Sequence, residues 1–514
     1  MQDRLTIPHQ IFAAGRRFAD RVAIRGEDGA ELYYRDLEPA ARRIAAAIVA
    51  SGVEPGDRVS IWAPNRPEWV LIALGLQAAG AVLVPLNTRL KGREAAHILG
   101  KSGAKLLFTV GNYLNTDYRR LLDGFDLPAL TAMIDIDDAA GWSEFLARGD
   151  GHEVEIDRRL NGLTEDGLSD ILFTSGTTGL PKGAMTAHGQ NLRMFRTYAA
   201  KLGLREGDVY LVVNPFFHSF GYKAGWLSAL ISGATVLPHA TFDAPSVLQR
   251  IEAEKVTVLP GPPTLYQTLL AAPWRERDLS TLRLAVTGAA SVPETLIYEM
   301  GNSLGFEVVL TAYGLTENCG VVTMCEAGEP IAIVANTAGR AIPGVEISIV
   351  GDNGKALAAG EPGELLVRGD GVMRGYFEDA EATAKAIDTD GWLHTGDIAV
   401  ADAAGNIRIT DRSDDVFIVG GFNAYPAEIE GLLAAHPAIS QSAVIGVPDP
   451  RLGAVARAFI VLRPGHSLDA ATLTAWCREN MANYKVPRQI DFVDALPQNA
   501  SGKVQKFMLR AGQA

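Results

Sequence analysis

Two kinds of hydrophobic pattern alternate along the first two thirds of the chain. Short apolar runs rich in β-branched residues, such as SDILFTS, VYLVVNP and VTVLPG, predict buried strands. Longer stretches with apolar residues at helical spacing, such as PEWVLIALGLQAAG and APSVLQRIEAE, separate those runs. This alternation predicts an α/β fold with two mostly parallel sheets, each covered by helices.

The pattern changes twice towards the C-terminus. From about Gly339 the strands are punctuated by glycine and proline, which predicts a small distorted β-barrel or antiparallel sheet. The polar segment DRSDDVF then precedes a stretch with its own helix and strand pattern. We therefore expect a large N-terminal domain at 1–410, a hinge at 411–415 and a small α+β C-terminal domain at 416–514.

The most apolar stretch, residues 69–86, approaches the length of a bilayer span. Gln77 interrupts it, Gly80 breaks its helical period, and a β-branched run follows, so we predict a buried helix that leads into a buried strand. No integral membrane association is expected. The N-terminus has no signal-peptide pattern and the C-terminus has neither a prenylation box nor a peroxisomal tripeptide, which predicts a cytoplasmic protein.

Charge and cysteine content exclude several classes of function. The 514 residues include 47 basic and 60 acidic side chains, a formal net charge of −13, and no basic cluster. A nucleic-acid or anionic-membrane surface is therefore disfavoured. The three cysteines, Cys319, Cys325 and Cys477, have no metal-binding spacing, so we expect reduced thiols in or near cores.

The segment TSGTTGLPKG, residues 174–183, has the composition of a phosphate-binding loop. Its glycines let backbone amides approach a ligand, its hydroxyls can donate hydrogen bonds, and Lys182 adds a positive charge. It is not a Walker A loop, because Lys182 lies between Pro181 and Gly183 and the next helix is predicted only from about His188. The predicted phosphate-binding residues are Thr174, Ser175, Gly176, Thr177, Thr178, Gly179 and Lys182.

At full length this loop resembles the phosphate-binding motif of adenylate-forming enzymes, which include acyl-CoA synthetases, aryl-CoA ligases, luciferases and peptide-synthetase adenylation domains. Other segments resemble further motifs of the same superfamily in the same order: YGLTEN (313–318), GWLHTGD (391–397), DRSDDVFIVGGFNAYPAEIE (411–430) and LPQNASGKVQK (496–506). The resemblance covers nearly the whole chain. It implies that the small C-terminal domain is mobile.

The resemblance assigns roles around ATP and at the hinge. Tyr313 would pack near adenine, Thr316 would contact the α-phosphate side, and Glu317 would bind Mg²⁺, which prefers carboxylate and phosphate oxygens. Lys503 would be the catalytic lysine that neutralises the two anions brought together during adenylation. The remaining implied residues are Asp397 and Arg412 for the ribose, Gly288, Ala289 and Gly314 for the nucleotide pocket, Asp414 for the hinge, and Gly420 and Gly421 for the pantetheine tunnel.

The segment NPFFHSFGYKAGW, residues 214–226, matches a Pro-x-x-His motif of the superfamily. The resemblance makes His218 the gate between the acyl pocket and the thiol tunnel. The predicted pocket residues are His218, Phe220, Lys223, Gly261, Gly288 and Gly314. Part of this segment also resembles synthetases that activate propanoate side chains of steroid-ring degradation intermediates, which favours a bulky or ring-bearing acid; medium-chain and aryl acids stay open.

The implied reaction is a two-step ligation that uses ATP, Mg²⁺ and coenzyme A. A carboxylic acid and ATP would give an acyl-adenylate and pyrophosphate, and after a swing about Asp414 the CoA thiol would displace AMP. Two alternatives within enzymology are an acyl-AMP ligase or stand-alone adenylation enzyme that loads a carrier protein, and a less favoured luciferase-like oxygenase. A non-catalytic nucleotide-binding protein is the alternative of another class. A homodimer is left open.

Overall fold

The computed structural model describes residues 4–174, 181–288, 292–351, 353–412, 415–419, 422–449, 452–481, 483–498 and 504–511. The helices in these ranges are α1 (Ile7–Arg17), α2 (Tyr34–Ala50), α3 (Pro67–Ala78), α4 (Gly92–Ser102), α5 (Ala139–Ala147), α6 (Glu153–Gly162), α7 (His188–Leu202), α8 (Ser219–Gly221), α9 (Ser228–Ile231), α10 (Ala244–Glu254), α11 (Pro263–Ala271), α12 (Glu294–Asn302), α13 (Ile331–Asn336), α14 (Ala380–Ala386), α15 (Pro426–Ala434), α16 (Ala470–Asn480) and α17 (Lys506–Ala511). Short 3₁₀ turns occur at Arg120–Leu122, Trp274–Glu276 and Thr316–Asn318, and a π-helical turn occurs at Tyr222–Leu227.

The strands are β1 (Val22–Arg25), β2 (Glu31–Tyr33), β3 (Arg58–Trp62), β4 (Val82–Pro85), β5 (Leu106–Thr109), β6 (Asn112–Tyr113), β7 (Thr116–Asp117), β8 (Ala132–Asp135), β9 (Leu168–Thr174), β10 (Lys182–Ala187), β11 (Val209–Val212), β12 (Thr235–Pro238), β13 (Leu284–Gly288), β14 (Val308–Tyr313), β15 (Thr323–Met324), β16 (Arg340–Ala341), β17 (Val345–Val350), β18 (Gly363–Gly369), β19 (Leu393–Ala401), β20 (Ile407–Arg412), β21 (Phe417–Val419), β22 (Phe422–Ala424), β23 (Ile439–Asp449), β24 (Gly453–Leu462) and β25 (Gln489–Phe492).

Two mixed sheets with mostly parallel pairings form the larger part of the molecule, which confirms the predicted fold class. One has the order β10-β9-β4-β3-β5-β8, in which only the β10–β9 pair is antiparallel. The other combines β11-β12-β1-β2 with β13-β14-β15-β16. The two halves of this second sheet meet at Val258, which forms single parallel bridges with Tyr210 and Leu284.

The segment VTVLPG was predicted to be a full strand, and this part of the prediction is wrong. Only Val258 pairs with both neighbouring strands. Pro260, Pro262 and Pro263 follow closely, and proline has no N–H to continue a sheet ladder. The chain therefore leaves the sheet early and begins helix α11 at Pro263.

The apolar stretch at residues 69–86 forms helix α3 and strand β4, as predicted. Almost every α3 residue from Trp69 onwards is buried, and β4 is buried along its whole length. Gln77 is also fully buried and donates a hydrogen bond from Nε2 to the Tyr222 hydroxyl (2.9 Å). In the part of the chain that the structure describes, no helix is long and apolar enough to cross a bilayer.

The C-terminal third contains smaller sheets. Strands β17 to β20 form the predicted antiparallel sheet, and a further sheet has the order β22-β21-β24-β23 with β25 parallel to β24. The main apolar cluster runs from Ile7 to Ile407, whereas two separate clusters use residues from Phe417 onwards. All three cysteines are buried and free, as predicted.

Candidate active site

A hairpin of β9 and β10 carries both ends of the glycine-rich loop. Thr174 and Lys182 are opposite each other in the strand register, and the Thr174 hydroxyl lies within hydrogen-bonding distance of the Lys182 carbonyl (3.4 Å). Strand β10 continues to Ala187 and helix α7 begins at His188, so no helix begins among the described residues that follow the loop directly. This agrees with the exclusion of a Walker A loop. The predicted phosphate contacts Ser175, Gly176, Thr177, Thr178 and Gly179 lie outside the described residues.

The Glu317 carboxylate lies beside this hairpin. Its Oε1 accepts hydrogen bonds from the Thr174 hydroxyl (3.4 Å) and from the Tyr376 hydroxyl (2.9 Å). Glu317 belongs to the 3₁₀ turn Thr316–Asn318 after β14, and its carbonyl accepts from the Met373 N–H (2.8 Å). Two motifs that are far apart in sequence therefore meet, with a partly buried carboxylate at the edge of the glycine-rich loop.

Tyr376 is a site residue that the sequence did not indicate. Its segment pairs with the outer edge of β10: the Phe377 N–H donates to the Gly183 carbonyl (2.7 Å), and the Met185 N–H donates to the Gly375 carbonyl (3.0 Å). The Lys182 ammonium lies 5.3 Å from the centroid of the Tyr376 ring, within the range of a cation–π interaction. Tyr376 thus contacts both predicted charges of the phosphate site.

The predicted adenine and ribose residues also meet. The Tyr313 hydroxyl donates to Asp397 Oδ2 (2.5 Å). Asp397 is the register partner of Arg412 across β19 and β20, and its N–H donates to the Thr395 hydroxyl (3.0 Å). The strand pairing places the two predicted ribose contacts side by side.

Two glycines of the predicted nucleotide pocket allow a neighbouring backbone segment to approach closely. A Cβ on Gly288 would lie 2.2 Å from the Ala312 carbonyl oxygen, and one on Gly314 would lie 2.2 Å from the Gly320 carbonyl oxygen. Gly261 is buried, and there an added Cβ would meet the Leu265 side chain at 2.7 Å. Because backbone atoms cannot move aside as a flexible side chain can, only glycine fits at the first two positions. Ala289 lies outside the described residues.

His218 is the N-cap residue of α8, before the π-helical turn and α9, and part of the residue is accessible to solvent although protein atoms surround the imidazole. Its Nδ1 accepts a hydrogen bond from the Phe220 N–H (3.2 Å). Desolvation by the surrounding protein, with a smaller contribution from the positive charge of Lys223, lowers the pKa of His218 below its usual value. The imidazole is therefore neutral at pH 7, and Phe220, which follows it, is half-buried.

Two asparagines hold the chain before His218, and sequence reasoning missed both. Asn65 Nδ2 donates to the carbonyls of Val212 (3.0 Å) and Asn214 (2.9 Å), and Asn65 Oδ1 accepts from the Phe216 N–H (2.7 Å). Asn214 Nδ2 donates to the Pro260 carbonyl (2.9 Å). These side chains satisfy the backbone of a buried irregular segment, which fixes the direction in which His218 leaves the sheet.

Lys223 was predicted to line the acyl pocket, but its side chain is fully buried. Its ammonium forms an ion pair with Asp170 (3.0 Å) and donates to the Thr186 hydroxyl (2.9 Å). This placement does not support a direct contact between Lys223 and the acid.

Four further predictions lie outside the described residues: Asp414 at the hinge, Gly420 and Gly421 in the pantetheine tunnel, and the catalytic Lys503. The backbone of Arg412 is described in β20.

The described residues contain no group of three or more acidic, histidine or cysteine side chains that could enclose a metal ion. Glu317 supplies a carboxylate beside the glycine-rich loop. This donor set suits Mg²⁺ rather than a metal held entirely by protein, because Mg²⁺ in phosphate-transfer sites is bound by one or two carboxylates, phosphate oxygens and water.

Comparisons with known proteins agree with this geometry. The family model for AMP-binding enzymes matches residues 11–377, and the model for the AMP-binding enzyme C-terminal domain matches residues 428–503. The chain is 48% identical to a 3-[(3aS,4S,7aS)-7a-methyl-1,5-dioxo-octahydro-1H-inden-4-yl]propanoyl:CoA ligase of Mycobacterium tuberculosis (strain ATCC 25618 / H37Rv), over 99% of each chain. It is 46% identical to the ligase of the same name from Rhodococcus jostii (strain RHA1), over 98% of each chain.

Among solved structures, the fold resembles the anthranilate CoA ligase AuaEII in complex with anthranoyl-AMP. The TM-score is 0.88 at 29% identity, over 100% of this chain and 98% of that chain.

Proposed function

The chain belongs to the AMP-binding enzymes as an AMP-forming acyl-CoA synthetase, and on this premise we propose that its acid is a bicyclic, ring-bearing propanoate. The similarity of the whole chain to two ligases named for a methyl-dioxo-octahydroindenyl propanoate is the observation that carries this proposal. His218 is neutral, so it places no charge at the proposed acyl pocket. This is compatible with a large, mostly apolar acid, because such pockets are lined mainly by apolar groups.

In the first half-reaction, a carboxylate oxygen of the acid attacks the α-phosphorus of ATP, and the bond to the bridging β-phosphate oxygen breaks. Pyrophosphate leaves and an acyl-adenylate remains. We assign the outer phosphates to the glycine-rich loop and Lys182, and the ribose hydroxyls to Asp397 and Arg412. Mg²⁺, when bound, neutralises phosphate charge, and Glu317 is the residue that would hold it.

In the second half-reaction, the CoA thiol attacks the acyl carbon, AMP leaves with the bonding electron pair, and the thiol proton passes to solvent. We assign His218 to the boundary between acid and thiol, and Lys503 to the first half-reaction only. We also propose that residues 416–514 reorient about Asp414 between the two steps, with 1–410 as the stationary domain. The separate apolar clusters on the two sides of residues 410–416 support this division.

A panel of acids tests the substrate proposal. The purified full-length chain would be given the bicyclic propanoate, anthranilate, octanoate and acetate with ATP, Mg²⁺ and CoA, and both pyrophosphate and thioester would be measured. We expect the highest kcat/KM for the bicyclic propanoate. A higher value for octanoate or anthranilate would refute the proposed substrate. Glu317→Gln, which keeps the shape but removes the charge, serves as the low-activity control.

The same assay separates the alternatives. Transfer to a carrier protein but not to CoA would favour the acyl-AMP ligase or stand-alone adenylation enzyme, and no turnover with any acid would favour a non-catalytic nucleotide-binding protein. We further propose a cytoplasmic enzyme, to be checked by cell fractionation, and a homodimer, to be checked by light scattering.

A further inference from the structure

The ion pair of Lys223 and Asp170 is the most deeply buried among the described residues, with both side chains at 0% exposure. Asp170 is fully satisfied: its carboxylate also accepts from the hydroxyls of Ser169 and Thr186 (2.7 Å each) and from Asn191 Nδ2 (2.8 Å). None of these groups belongs to the reaction described above. The cluster is therefore a buried polar network beside the active site.

This network joins the two functional segments of the large domain. Asp170 and Thr186 are register partners in β9 and β10, the strands that carry Thr174 and Lys182 at the ends of the glycine-rich loop. Lys223 comes from the other segment, in the π-helical turn that follows His218. Its ammonium contacts both register partners, so one side chain connects the base of the hairpin to the chain that begins at His218.

The backbone around Lys223 is adapted to this contact. The turn Tyr222–Leu227 is π-helical, and Gly225 has a non-helical conformation (φ −82°, ψ −105°). The Ser228 hydroxyl donates to the Lys223 carbonyl (2.9 Å), which satisfies an acceptor that a regular helix would pair with an N–H. Single π-helical turns occur often at functional sites, where they redirect a side chain.

We infer that Lys223 is a positioning residue that ties the hairpin of the glycine-rich loop to the His218 segment, and so holds the ATP site and the thiol boundary in one geometry. The inference rests on the acyl-CoA synthetase activity. The physical reason is that a buried ion pair adds little net stability, since desolvation offsets the attraction, whereas any displacement leaves a buried charge unpaired. Such a pair strongly favours one relative position of the two segments.

The test compares two double variants of the full-length chain. Lys223→Met/Asp170→Asn removes the ion pair without leaving a buried charge. Arg283→Met/Asp208→Asn is the matched control: this pair is also largely buried (2.5 Å), but it lies just before β13 and β11, at the strand ends opposite Gly288 and the His218 segment. Pyrophosphate exchange reports the first half-reaction, and thioester formation from synthetic acyl-adenylate reports the second.

We expect the Lys223→Met/Asp170→Asn variant to lose about tenfold to a hundredfold in kcat in both half-reactions, because small misplacements of reacting groups cost that much. KM for ATP and for CoA should change less than kcat, and near-UV circular dichroism should show a folded protein. The control variant should lose thermal stability but keep both kcat values within about twofold.

Loss of only one half-reaction, or kcat values that match those of the control variant, would overturn the inference. Thr186→Val covers the case in which the double variant does not fold, since it removes only the hydroxyl between the two charges; a smaller loss shared by both half-reactions is then expected, and unchanged kcat values would refute the positioning role. Failure of the proposed function is distinguishable, because the unsubstituted protein would then form no thioester with any acid.

Discussion

Tyr376→Phe is the most informative single substitution, because it removes one oxygen from the predicted phosphate site. The lost hydroxyl is the closer of the two donors to Glu317 Oε1, at 2.9 Å compared with 3.4 Å for Thr174. The ring stays in place, and with it the contact to the Lys182 ammonium. Glu317 would therefore keep its charge but lose the group that fixes its orientation.

The expected magnitude follows from the type of hydrogen bond. A hydrogen bond to a charged group contributes about 1.5–3 kcal/mol, which corresponds to about a tenfold to 150-fold change in an equilibrium constant. Removing the partner of a metal-binding side chain typically costs about tenfold to a hundredfold in affinity or activity. Because the Thr174 hydroxyl remains, we expect the lower part of that range, about tenfold to thirtyfold in kcat/KM for ATP.

The assay is pyrophosphate exchange at saturating acid, with ATP and free Mg²⁺ varied independently. The substitution should raise the Mg²⁺ concentration needed for half-maximal exchange, while thioester formation from preformed acyl-adenylate stays unchanged. Tyr34→Phe is the control, since the Tyr34 hydroxyl lies in the core and donates to the Ala234 carbonyl (2.7 Å). An unaltered Mg²⁺ dependence, or an equal loss in Tyr34→Phe, would show that Tyr376 does not orient Glu317.

Four other predictions concern the lysine, a glycine, a histidine and the thiols. Lys503→Ala should abolish pyrophosphate release yet leave thioester formation from preformed adenylate largely intact; equal loss of both would contradict its assignment. Gly288→Ala should cost about 1–3 kcal/mol of stability and raise KM for ATP, because the new Cβ meets a backbone oxygen, whereas Gly301→Ala, whose Cβ would lie 3.8 Å from its nearest neighbour, should not. Burial lowers the pKa of His188 to about 4, so the imidazole takes up a proton more readily in the unfolded chain than in the folded protein. The free energy of unfolding should therefore fall by about 2 kcal/mol from pH 7 to pH 5. Urea titrations should show a smaller fall for His188→Gln. Burial raises the pKa of Cys319 to about 12 and of Cys477 to about 11, so a thiol reagent at pH 8 should label neither until denaturant is added.

The local pattern of apolar and polar residues was sufficient to predict most of the helices and strands discussed above. The stretch at residues 69–86 contains its own helix and strand signals, and the structure has α3 and β4 there. The position of Lys182 between Pro181 and Gly183 excluded a helix at the loop, and α7 indeed begins at His188. Where the pattern failed, at VTVLPG, the prolines after Val258 ended the sheet ladder, and the apolar run alone did not show this.

The sequence predicted the individual motifs of the candidate site but not the contacts between them. Thr174 and Glu317 were found separately, but their contact spans 143 residues of sequence, and no local signal shows it. Tyr376 and Asn65 act through hydrogen bonds to partners far along the chain, and neither residue type is unusual in its segment. Lys223 was predicted to line the acyl pocket, but its ion-pair partner Asp170 lies in a distant strand, so the direction of the Lys223 side chain could not be deduced from the sequence.

The separate apolar clusters on the two sides of residues 410–416 have an energetic consequence for turnover. In the described parts of the chain, no residue belongs to clusters on both sides, so each side keeps its own apolar core if one part turns against the other. Polar contacts exchange with water at little net cost, so alternative orientations can lie close in free energy. Ligands then decide the orientation through differential affinity: ATP, the acyl-adenylate and CoA would each select the arrangement that they bind best. If the two parts do reorient, ligand binding would then set the order of the two half-reactions as well as their rates.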